Sequence, residues 1–257
     1  MTSTRMIYAG LWVWLHLLQF TVSNQTLNVE EDSINKKYRP LPSGDITLRH
    51  ALLLRWSLLP FCWLVSHSVS SASSMASISI SILTIVHNEL GFHGKHWTIR
   101  NLLNGLGIAS FELGAVVVAC EWLCLFDISM PYLKNEINFE GGRHHRIDDI
   151  VVRGVISSAC ILATTIHAQD FKDVDGDIAV GRKTLPIVSP RMSRHSMLIG
   201  LPVCSLGIAY VWELQFVPCC ALFCLAVLIG WRYVLHKDVE SDQTSYLLYN
   251  VSCGMFR

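Results

Sequence analysis

Charge is scarce in this sequence. Only 16% of its 257 residues are Asp, Glu, Lys or Arg, whereas soluble domains usually carry about 25%. Apolar residues make up 51%, and twenty Lys and Arg balance twenty Asp and Glu. Without a net charge, no long-range field favours a nucleic acid, and we expect no nucleic-acid partner. The composition instead predicts a protein that lies in a lipid bilayer.

The sequence also lacks a cysteine pattern for metal binding or for disulfides. Nine cysteines are scattered mainly through apolar runs, without a CxxC pair or a ligand-like spacing to histidine. We therefore predict that they are small buried apolar side chains. A cleavable signal peptide is lacking too, because the first apolar run has neither a strongly basic start nor a small-x-small site at its end. That run is interpreted as a membrane span.

Long apolar stretches are what the sequence does contain. A bilayer core about 30 Å thick needs roughly 20 apolar residues per helix. Seven stretches approach this length: 6–22, 48–66, 69–87, 101–120, 149–168, 196–213 and 215–235. An eighth begins at Ser245 and has little more than half a span before Arg257. The prediction is one all-α domain over residues 1–257, a multi-span transmembrane helical bundle whose last helix is partial.

The stretch 69–87 is unusually rich in serine. Serine and β-branched residues in a soluble protein would suggest a strand. In lipid, every backbone polar group must be satisfied within the protein, so a helix is the better interpretation. Its small residues permit close approach of neighbouring helices, and we expect its hydroxyls to bond within the helix or across to another.

The loops divide into two alternate sets that differ in positive charge. The first set comprises 23–47, 88–100, 169–195 and 236–244, and it contains Lys36, Lys37, Arg39, Lys95, Arg100, Lys172, Arg182, Lys183, Arg191, Arg194 and Lys237. The other set contains Arg5, Lys134, Arg143 and Arg146. The positive-inside rule places the first set in the cytosol. We predict a multi-pass protein of the endoplasmic reticulum or another endomembrane.

Two acidic segments lie in the loops predicted to be cytosolic. The first acidic segment, Asn24 to Gly44, reads NQTLNVEEDSINKKYRPLPSG, and the second, Gln169 to Pro186, reads QDFKDVDGDIAVGRKTLP. In helical geometry each segment places three oxygen-bearing side chains on one face. These six candidate metal ligands are Asn24, Asn28, Asp32, Asp170, Asp173 and Asp177.

Basic side chains accompany the acidic ones in both segments. Clustered oxygen ligands of this kind suit hard Mg²⁺ ions that are bound through bridging phosphates. Lysine and arginine would complete the neutralisation of a diphosphate leaving group, with an isoprenoid chain in the membrane. A solvated acidic loop is the plainer alternative for either segment alone. A calcium loop is poorer, because no glutamate stands at its closing position. The basic candidates here are Lys36, Arg39, Lys172, Arg182 and Lys183.

The two segments together resemble the signatures of the UbiA superfamily of intramembrane prenyltransferases. The pattern NQxxNxxxDxxNKxxRPLPSG is similar to the family's first Asp-rich motif, and DxxDxDGDxxxGRxTLP is similar to the second. The resemblance implies a nine-helix bundle with a central cavity, Asp motifs that face the cytosol, dependence on Mg²⁺ and ionisation of an allylic diphosphate. Asp32, Asp170, Asp173 and Asp177 are then the expected catalytic residues.

The sequence departs from the family pattern at several places. Gln25 and Asn28 stand where aspartates are usual, so the first motif keeps Asp32 alone, with Glu30 and Glu31 on other helical faces. One helix before the first motif is expected to be missing and the last to be cut short, which suggests a truncated chain. The NQ form resembles a fungal branch that includes membrane-bound sesquiterpene cyclases.

The loop 87–101 also differs from the family's aromatic-acceptor enzymes. It lacks their Tyr-x-x-x-Lys-Arg pattern, although Lys95 and Arg100 remain candidates for phosphate contact. Three functions therefore stay open: prenyl transfer to a small acceptor, cyclisation of a prenyl diphosphate without an acceptor, and an inactive truncated membrane protein. For the walls of a cation-holding cavity, the candidate aromatic residues are Trp97, Phe111 and Trp122.

Overall fold

A computed structural model describes residues 3–127 and 142–255, and the side chains within 6–120 and 149–254. The predicted Arg5, Lys134, Arg143, Arg146 and Trp122 side chains lie outside these ranges. The described residues form helices and connecting turns, without a strand. The α-helices are α1 (Ser3–Leu27), α2 (Val29–Asn35), α3 (Pro40–Ser43), α4 (Leu48–Val69), α5 (Ser71–Thr84), α6 (Phe92–Lys95), α7 (Trp97–Asp127), α8 (Gly142–Thr165), α9 (Val174–Ala179), α10 (Leu185–Val188), α11 (Pro190–Val211), α12 (Phe216–Leu235) and α13 (Val239–Met255).

Among the described residues, six helical stretches are long and apolar enough to cross a membrane. They are Met6–Leu27, Leu48–Val69, Trp97–Cys120, Asp149–Ala179, Pro190–Val211 and Phe216–Leu235. The predicted all-α, multi-span bundle is thereby confirmed. The eighth predicted helix corresponds to α13, which begins at Val239 rather than at Ser245.

The predicted span at 69–87 is not among the six. Ser70 has an extended backbone, with φ −172° and ψ 169°, which ends α4. Its side chain then accepts from Ser73 N in a capping box that starts α5. Helix α5 has only 14 residues before a π-helical turn at Ile85–Glu89. The regular α-helix is therefore shorter than the predicted span at 69–87.

The described chain divides into two compact units. The first unit comprises Met1–Val29, Tyr38–Leu90 and Gly107–Ile156, and the second comprises Glu30–Lys37, Gly91–Leu106 and Ser157–Arg257. The predicted single domain over residues 1–257 stays a prediction.

The first unit is built around α1, α4 and α5. Trp12 is fully buried with Ala76, Ile80 and Val118. A Cβ on Gly114 would come within 2.2 Å of the Trp12 ring, so glycine is what lets α7 approach α1 so closely. Burying the indole in this way contributes much of the apolar surface that holds the three-helix core together.

Serines of α4 and α5 bond to α1 within the first unit. Trp12 Nε1 donates to Ser66 Oγ over 2.8 Å, and His16 Nε2 lies 2.7 Å from Ser77 Oγ. Ser81 Oγ donates to the carbonyl oxygen of Ser77, one turn back. The predicted use of hydroxyls within and across helices is what the structure shows here.

The second unit packs α11, α12 and α13 around the second acidic segment. A Cβ on Gly230 would lie 2.7 Å from Leu198 Cα, so α12 and α11 are in backbone contact there. Tyr233 of α12 donates to the carbonyl oxygen of Ala168 over 3.2 Å. Tyr249 of α13 lies 3.0 Å from Thr165 Oγ1. These tyrosines fix the end of α8, immediately before the acidic segment.

The described cysteines form no disulfide, but the prediction that they are buried is wrong for most of them. Eight of the nine cysteines are described, and all eight are free. Only Cys62 and Cys253 are buried, while Cys120, Cys160 and Cys224 are exposed. The exposed cysteines lie on helices of the bundle, where an apolar side chain faces lipid as readily as core.

Candidate active site

The first acidic segment is interrupted at Asn28. Helix α1 ends at Leu27 and α2 begins at Val29. Both the backbone N and the Nδ2 of Asn28 donate to the carbonyl oxygen of Asn24, over 3.1 and 2.8 Å. Helical counting from Asn24 and Asn28 to Asp32 therefore crosses a break, and their common face stays a prediction. Asn24 Nδ2 itself donates to Asn88 Oδ1 over 3.2 Å, within the first unit.

The second acidic segment is not a regular α-helix either. It runs through two 3₁₀ turns, Ile166–Gln169 and Phe171–Asp173, before the short helix α9. Tighter turns change the face that counting at 3.6 residues per turn assigns. Asp170, Asp173 and Asp177 are nevertheless all buried, Asp170 and Asp177 completely.

Lys36 joins the two acidic segments within the second unit. It follows directly after α2, and its Nζ lies 3.0 Å from Asp173 Oδ2. The same ammonium lies 4.0 Å from Asp32 Oδ1 and 3.5 Å from Glu31 Oε1. Asp32 and Asp173 thus both lie within 4.0 Å of one cation, and the two acidic segments meet there.

Arg182 also joins the two acidic segments, through Glu31 of the first segment. Its guanidinium donates to Glu31 Oε2 over 2.7 Å and to Asp177 Oδ1 over 2.8 Å. Glu31 is buried in this cluster, which corrects the expectation that it lies on another face. Because α2 starts anew after Asn28, positions counted from Asn24 do not predict the direction of Glu31.

The charge state of Glu31 follows from its partners. Burial alone would raise the pKa of this carboxyl, but the positive charges of Arg182, Lys36 and Arg100 outweigh burial. The pKa of Glu31 therefore lies below its ordinary value, and the side chain is a carboxylate at neutral pH.

Arg100 provides the third ion pair of the cluster. It lies near the start of α7 and donates to Asp170 Oδ1 over 2.8 Å, with both side chains buried. His93 adds a contact that the sequence does not predict, since its Nε2 lies 3.3 Å from Arg182 Nη2. No periodic signal marks His93, because it lies on the four-residue helix α6.

Asn35 fixes α2 against the second acidic segment. Its Nδ2 donates to the carbonyl oxygen of Asp173 over 3.0 Å, and its Oδ1 accepts from Gly176 N over 3.1 Å. A Cβ on Gly176 would come within 2.2 Å of the Asn35 amide, so this approach requires glycine. The asparagine of the NK motif and the glycine of the DGD motif therefore meet in space.

Other surroundings are described for the remaining predicted basic residues. Lys95 Nζ lies 4.0 Å from the centre of the Phe92 ring, and Lys172 Nζ lies 4.7 Å from that of Tyr246. Lys183 is exposed, and Arg39 is half-buried at the start of α3 in the first unit. A phosphate role for these four stays a prediction.

Two of the three aromatic candidates have described surroundings. Phe111 packs against the Trp12 cluster of the first unit, as an ordinary core residue does. The Trp97 ring stacks on His96 with 5.6 Å between centroids, in the second unit. Neither contact identifies a wall for a carbocation.

The carboxylates suit magnesium in their chemistry. Their oxygens are hard ligands, and buried Oδ2 atoms of Asp170 and Asp177 have no hydrogen-bond partner within the described residues. Across those same residues, however, no three acidic, histidine or cysteine side chains stand ready as a metal-ligand set. Lys36, Arg100 and Arg182 each lie against one oxygen of Asp173, Asp170 and Asp177, respectively. The unpartnered Oδ2 atoms fit the ion in their chemistry, and the neighbouring cations suit an anionic ligand that binds with it.

Comparison with known proteins settles the family. The profile of the UbiA prenyltransferase family matches residues 2–253. The chain belongs to this family. The UbiA membership confirms the resemblance found in the two acidic motifs and the predicted enzyme class, a prenyltransferase or a related terpene cyclase.

Individual relatives within the UbiA family include both kinds of enzyme. The chain is 30% identical over 241 residues to the fumagillin beta-trans-bergamotene synthase af520 of Aspergillus fumigatus, covering 93% of this chain and 74% of that one. It is 28% identical over 250 residues to the polyprenyl transferase eriF of Hericium erinaceus, covering 95% and 76%. A solved UbiA homologue from Archaeoglobus fulgidus, bound to GPP and Mg²⁺, has the same fold, with a TM-score of 0.55, 14% identity, and coverage of 98% of this chain and 92% of that one.

Proposed function

We propose that this protein is a Mg²⁺-dependent intramembrane enzyme that ionises an allylic isoprenoid diphosphate and transfers the prenyl group to a small acceptor. One observation carries the proposal. Acidic and basic side chains from both acidic segments interleave in a single buried cluster, with Lys36 between Asp32 and Asp173 and Arg182 between Glu31 and Asp177. An arrangement of both charge signs suits a ligand made of phosphate and divalent metal.

The proposed roles divide by charge. Asp32, Asp170, Asp173 and Asp177 hold Mg²⁺, and the amides of Asn24 and Asn28 remain predicted ligands. When bound, Mg²⁺ withdraws electron density from the diphosphate and stabilises its charge as it leaves. The basic side chains hold the diphosphate oxygens, and Lys36, Arg100 and Arg182 lie in the cluster itself. A relative of the same fold has been solved with GPP and Mg²⁺ bound, which supports a prenyl diphosphate and Mg²⁺ as the ligands.

The substrate's hydrocarbon chain belongs in the membrane. Six candidate spans within the described residues supply apolar side chains of the kind that such a chain needs. An allylic cation needs a dry environment, since water would capture it. The cluster's polar side chains and the spans thus suit the two ends of one amphipathic substrate.

Cyclisation without an acceptor is the second candidate. The relative named as a bergamotene synthase favours it, because that enzyme's name describes a terpene product. The ionisation step is the same in both reactions. They differ in whether the cation meets a second molecule or its own double bonds.

Product analysis separates these possibilities. Microsomes containing the protein would be incubated with farnesyl or geranylgeranyl diphosphate and Mg²⁺, with and without candidate small acceptors. Prenylated acceptor supports transfer, and cyclic hydrocarbon without acceptor supports cyclisation. If neither substrate releases pyrophosphate while a relative in parallel does, the chain is an inactive family member and the proposal is wrong.

We further propose that both acidic segments face the cytosol of an endomembrane such as the endoplasmic reticulum. The distribution of lysine and arginine between loops supports this orientation. Asn24-Gln25-Thr26 is a glycosylation acceptor that should stay unmodified, whereas Ile137→Thr creates one at Asn135 in a loop predicted to be lumenal. A glycosidase-sensitive mobility shift is expected only in the variant. Glycan at Asn24 would contradict the orientation.

A further inference from the structure

The cluster's carboxylates are already engaged by cations of the protein itself. Lys36 lies against Asp173, Arg100 against Asp170, and Arg182 against Asp177 and Glu31. Each of these carboxylates is buried, so water cannot replace a lost partner. A metal ion that entered alone could reach the unpartnered Oδ2 atoms of Asp170 and Asp177, but it would meet the repulsion of an ammonium and two guanidinium groups in the same cluster.

A bound diphosphate would reduce the repulsion between these cations and an entering metal ion. It brings several negative charges, and lysine and arginine bind phosphate oxygens well. If the cations turn to the diphosphate, the carboxylate oxygens become available to the metal, and no buried charge loses its partner. Each ligand therefore removes the main obstacle to binding the other.

Lys36 is the cation best suited to move. Arg182 is fixed by Glu31, Asp177 and His93, and Arg100 is buried against Asp170. Lys36 ends in a compact ammonium on a flexible stem, and it lies just after the end of α2 rather than within it. Its three carboxylate neighbours come from both acidic segments.

We propose that Lys36 couples the binding of metal to the binding of diphosphate. Its ammonium neutralises the carboxylates around it in the free protein and turns to the diphosphate when a metal ion binds. Metal alone then binds weakly, and Mg²⁺ and pyrophosphate bind together. This inference rests on the proposed function, because it takes the cluster to be the diphosphate site.

Two binding measurements on the purified full chain in detergent test it. The first follows Mn²⁺ alone by the loss of its free-ion electron paramagnetic resonance signal. The second follows radiolabelled pyrophosphate, with and without Mg²⁺. For the wild type we expect Mg²⁺ to strengthen pyrophosphate binding at least about tenfold, and Mn²⁺ alone to bind weakly.

The variant Lys36→Gln should change the affinities for Mn²⁺ and for pyrophosphate in opposite directions. Mn²⁺ alone binds several-fold more tightly, because a competing cation is gone, while pyrophosphate in the presence of Mg²⁺ binds several-fold more weakly. Lys36→Arg keeps the charge and should resemble the wild type. Lys37→Gln is the matched control, since Lys37 is exposed and adjacent, and it should change neither affinity. A purely structural role for Lys36 would weaken both.

Failure of the coupling is distinguishable from failure of the proposed function. If wild-type protein does not bind pyrophosphate at any Mg²⁺ concentration, the proposed function and the coupling both fall. If pyrophosphate binding depends on Mg²⁺ but Lys36→Gln leaves Mn²⁺ affinity unchanged or weaker, only the coupling is wrong. Mg²⁺-independent pyrophosphate binding by the wild type would overturn the coupling without any variant.

Discussion

Lys36 Nζ lies 3.0 Å from Asp173 Oδ2 and thereby connects the first acidic segment to the second. Within the second unit, this pair and the Arg182 contacts to Glu31 and Asp177 make one cluster out of two distant parts of the sequence. Several consequences can be measured.

Glu31 should contribute more to the stability of the folded protein than its neighbour Glu30. Glu31→Gln leaves Arg182 with a weaker partner in a buried site, so we expect a loss of roughly 1.5–3 kcal/mol in the free energy of unfolding. Glu30→Gln is the matched control, because Glu30 is exposed, and it should change stability by less than about 0.5 kcal/mol. Denaturant unfolding in mixed micelles measures both. Equal losses would show that burial of Glu31 has no energetic role.

The Glu31 contribution should depend on pH in a defined direction. The pKa of Glu31 in the folded protein lies below its ordinary value of 4.5, because three cations outweigh burial. The stabilisation is therefore fully present above pH 4.5 and is lost as the pH falls through the lower, folded-state pKa. The difference in unfolding free energy between wild type and Glu31→Gln should be constant at neutral pH and shrink in acid. A difference that grows on acidification would contradict the assigned ion pair.

Gly176→Ala should impair the site more than the fold. The added Cβ would collide with the Asn35 amide and break its hydrogen bonds to Asp173 O and Gly176 N. We expect turnover to fall at least about tenfold, and Asn35→Ala to give a similar loss. Gly207→Ala is the control, because no side chain or backbone atom beyond its own helix lies within 4 Å of the new Cβ. Normal turnover in Gly176→Ala would show that this contact does not position the aspartates.

The pair Arg194 and Asp242 should stabilise the second unit. Arg194 donates to both carboxylate oxygens of Asp242, over 2.9 and 2.7 Å, and to the carbonyl oxygen of Tyr233 over 2.7 Å. Its guanidinium also lies 4.7 Å from the Phe171 ring, next to Asp170. Asp242 is buried and Arg194 is partly buried, so Asp242→Asn leaves the guanidinium with a weaker partner, and we expect a loss of roughly 1.5–3 kcal/mol in the free energy of unfolding.

A double-mutant cycle tests that pair directly. Arg194→Met combined with Asp242→Asn should cost clearly less than the two single losses added together. Arg191→Gln, on the exposed side of the same helix, should leave the unfolding free energy nearly unchanged. Strict additivity would show that the two side chains do not interact.

The fold was predictable where apolar length decides it. Charge-poor runs of roughly 20 residues gave the long helices, because a bilayer requires them. The stretch 69–87 is helical, as predicted, but a π-helical turn at Ile85–Glu89 follows the α-helix that Ser70 caps, and hydropathy does not register such local backbone events. The boundary of α13 was missed for a related reason, since its first turns are polar.

The residues of the candidate site could be predicted from the sequence, but their geometry could not. The motifs predict Asp32, Asp170, Asp173 and Asp177, whereas helical counting does not describe how they are arranged, because Asn28 interrupts one helix and 3₁₀ turns replace another. Glu31 was missed as a consequence. Asn35 and Gly176 had no visible connection in sequence, since only the folded second unit brings them together.

Pyrophosphate release from radiolabelled farnesyl or geranylgeranyl diphosphate tests directly whether the buried aspartates act on a diphosphate. Asp173→Asn and Asp177→Asn should each lower the rate by at least about 10²-fold at equal membrane content, because charge stabilisation at a leaving group is usually the largest catalytic term. Asp175→Asn, in the same segment but exposed, should retain the wild-type rate. Unchanged rates in Asp173→Asn and Asp177→Asn would contradict the account.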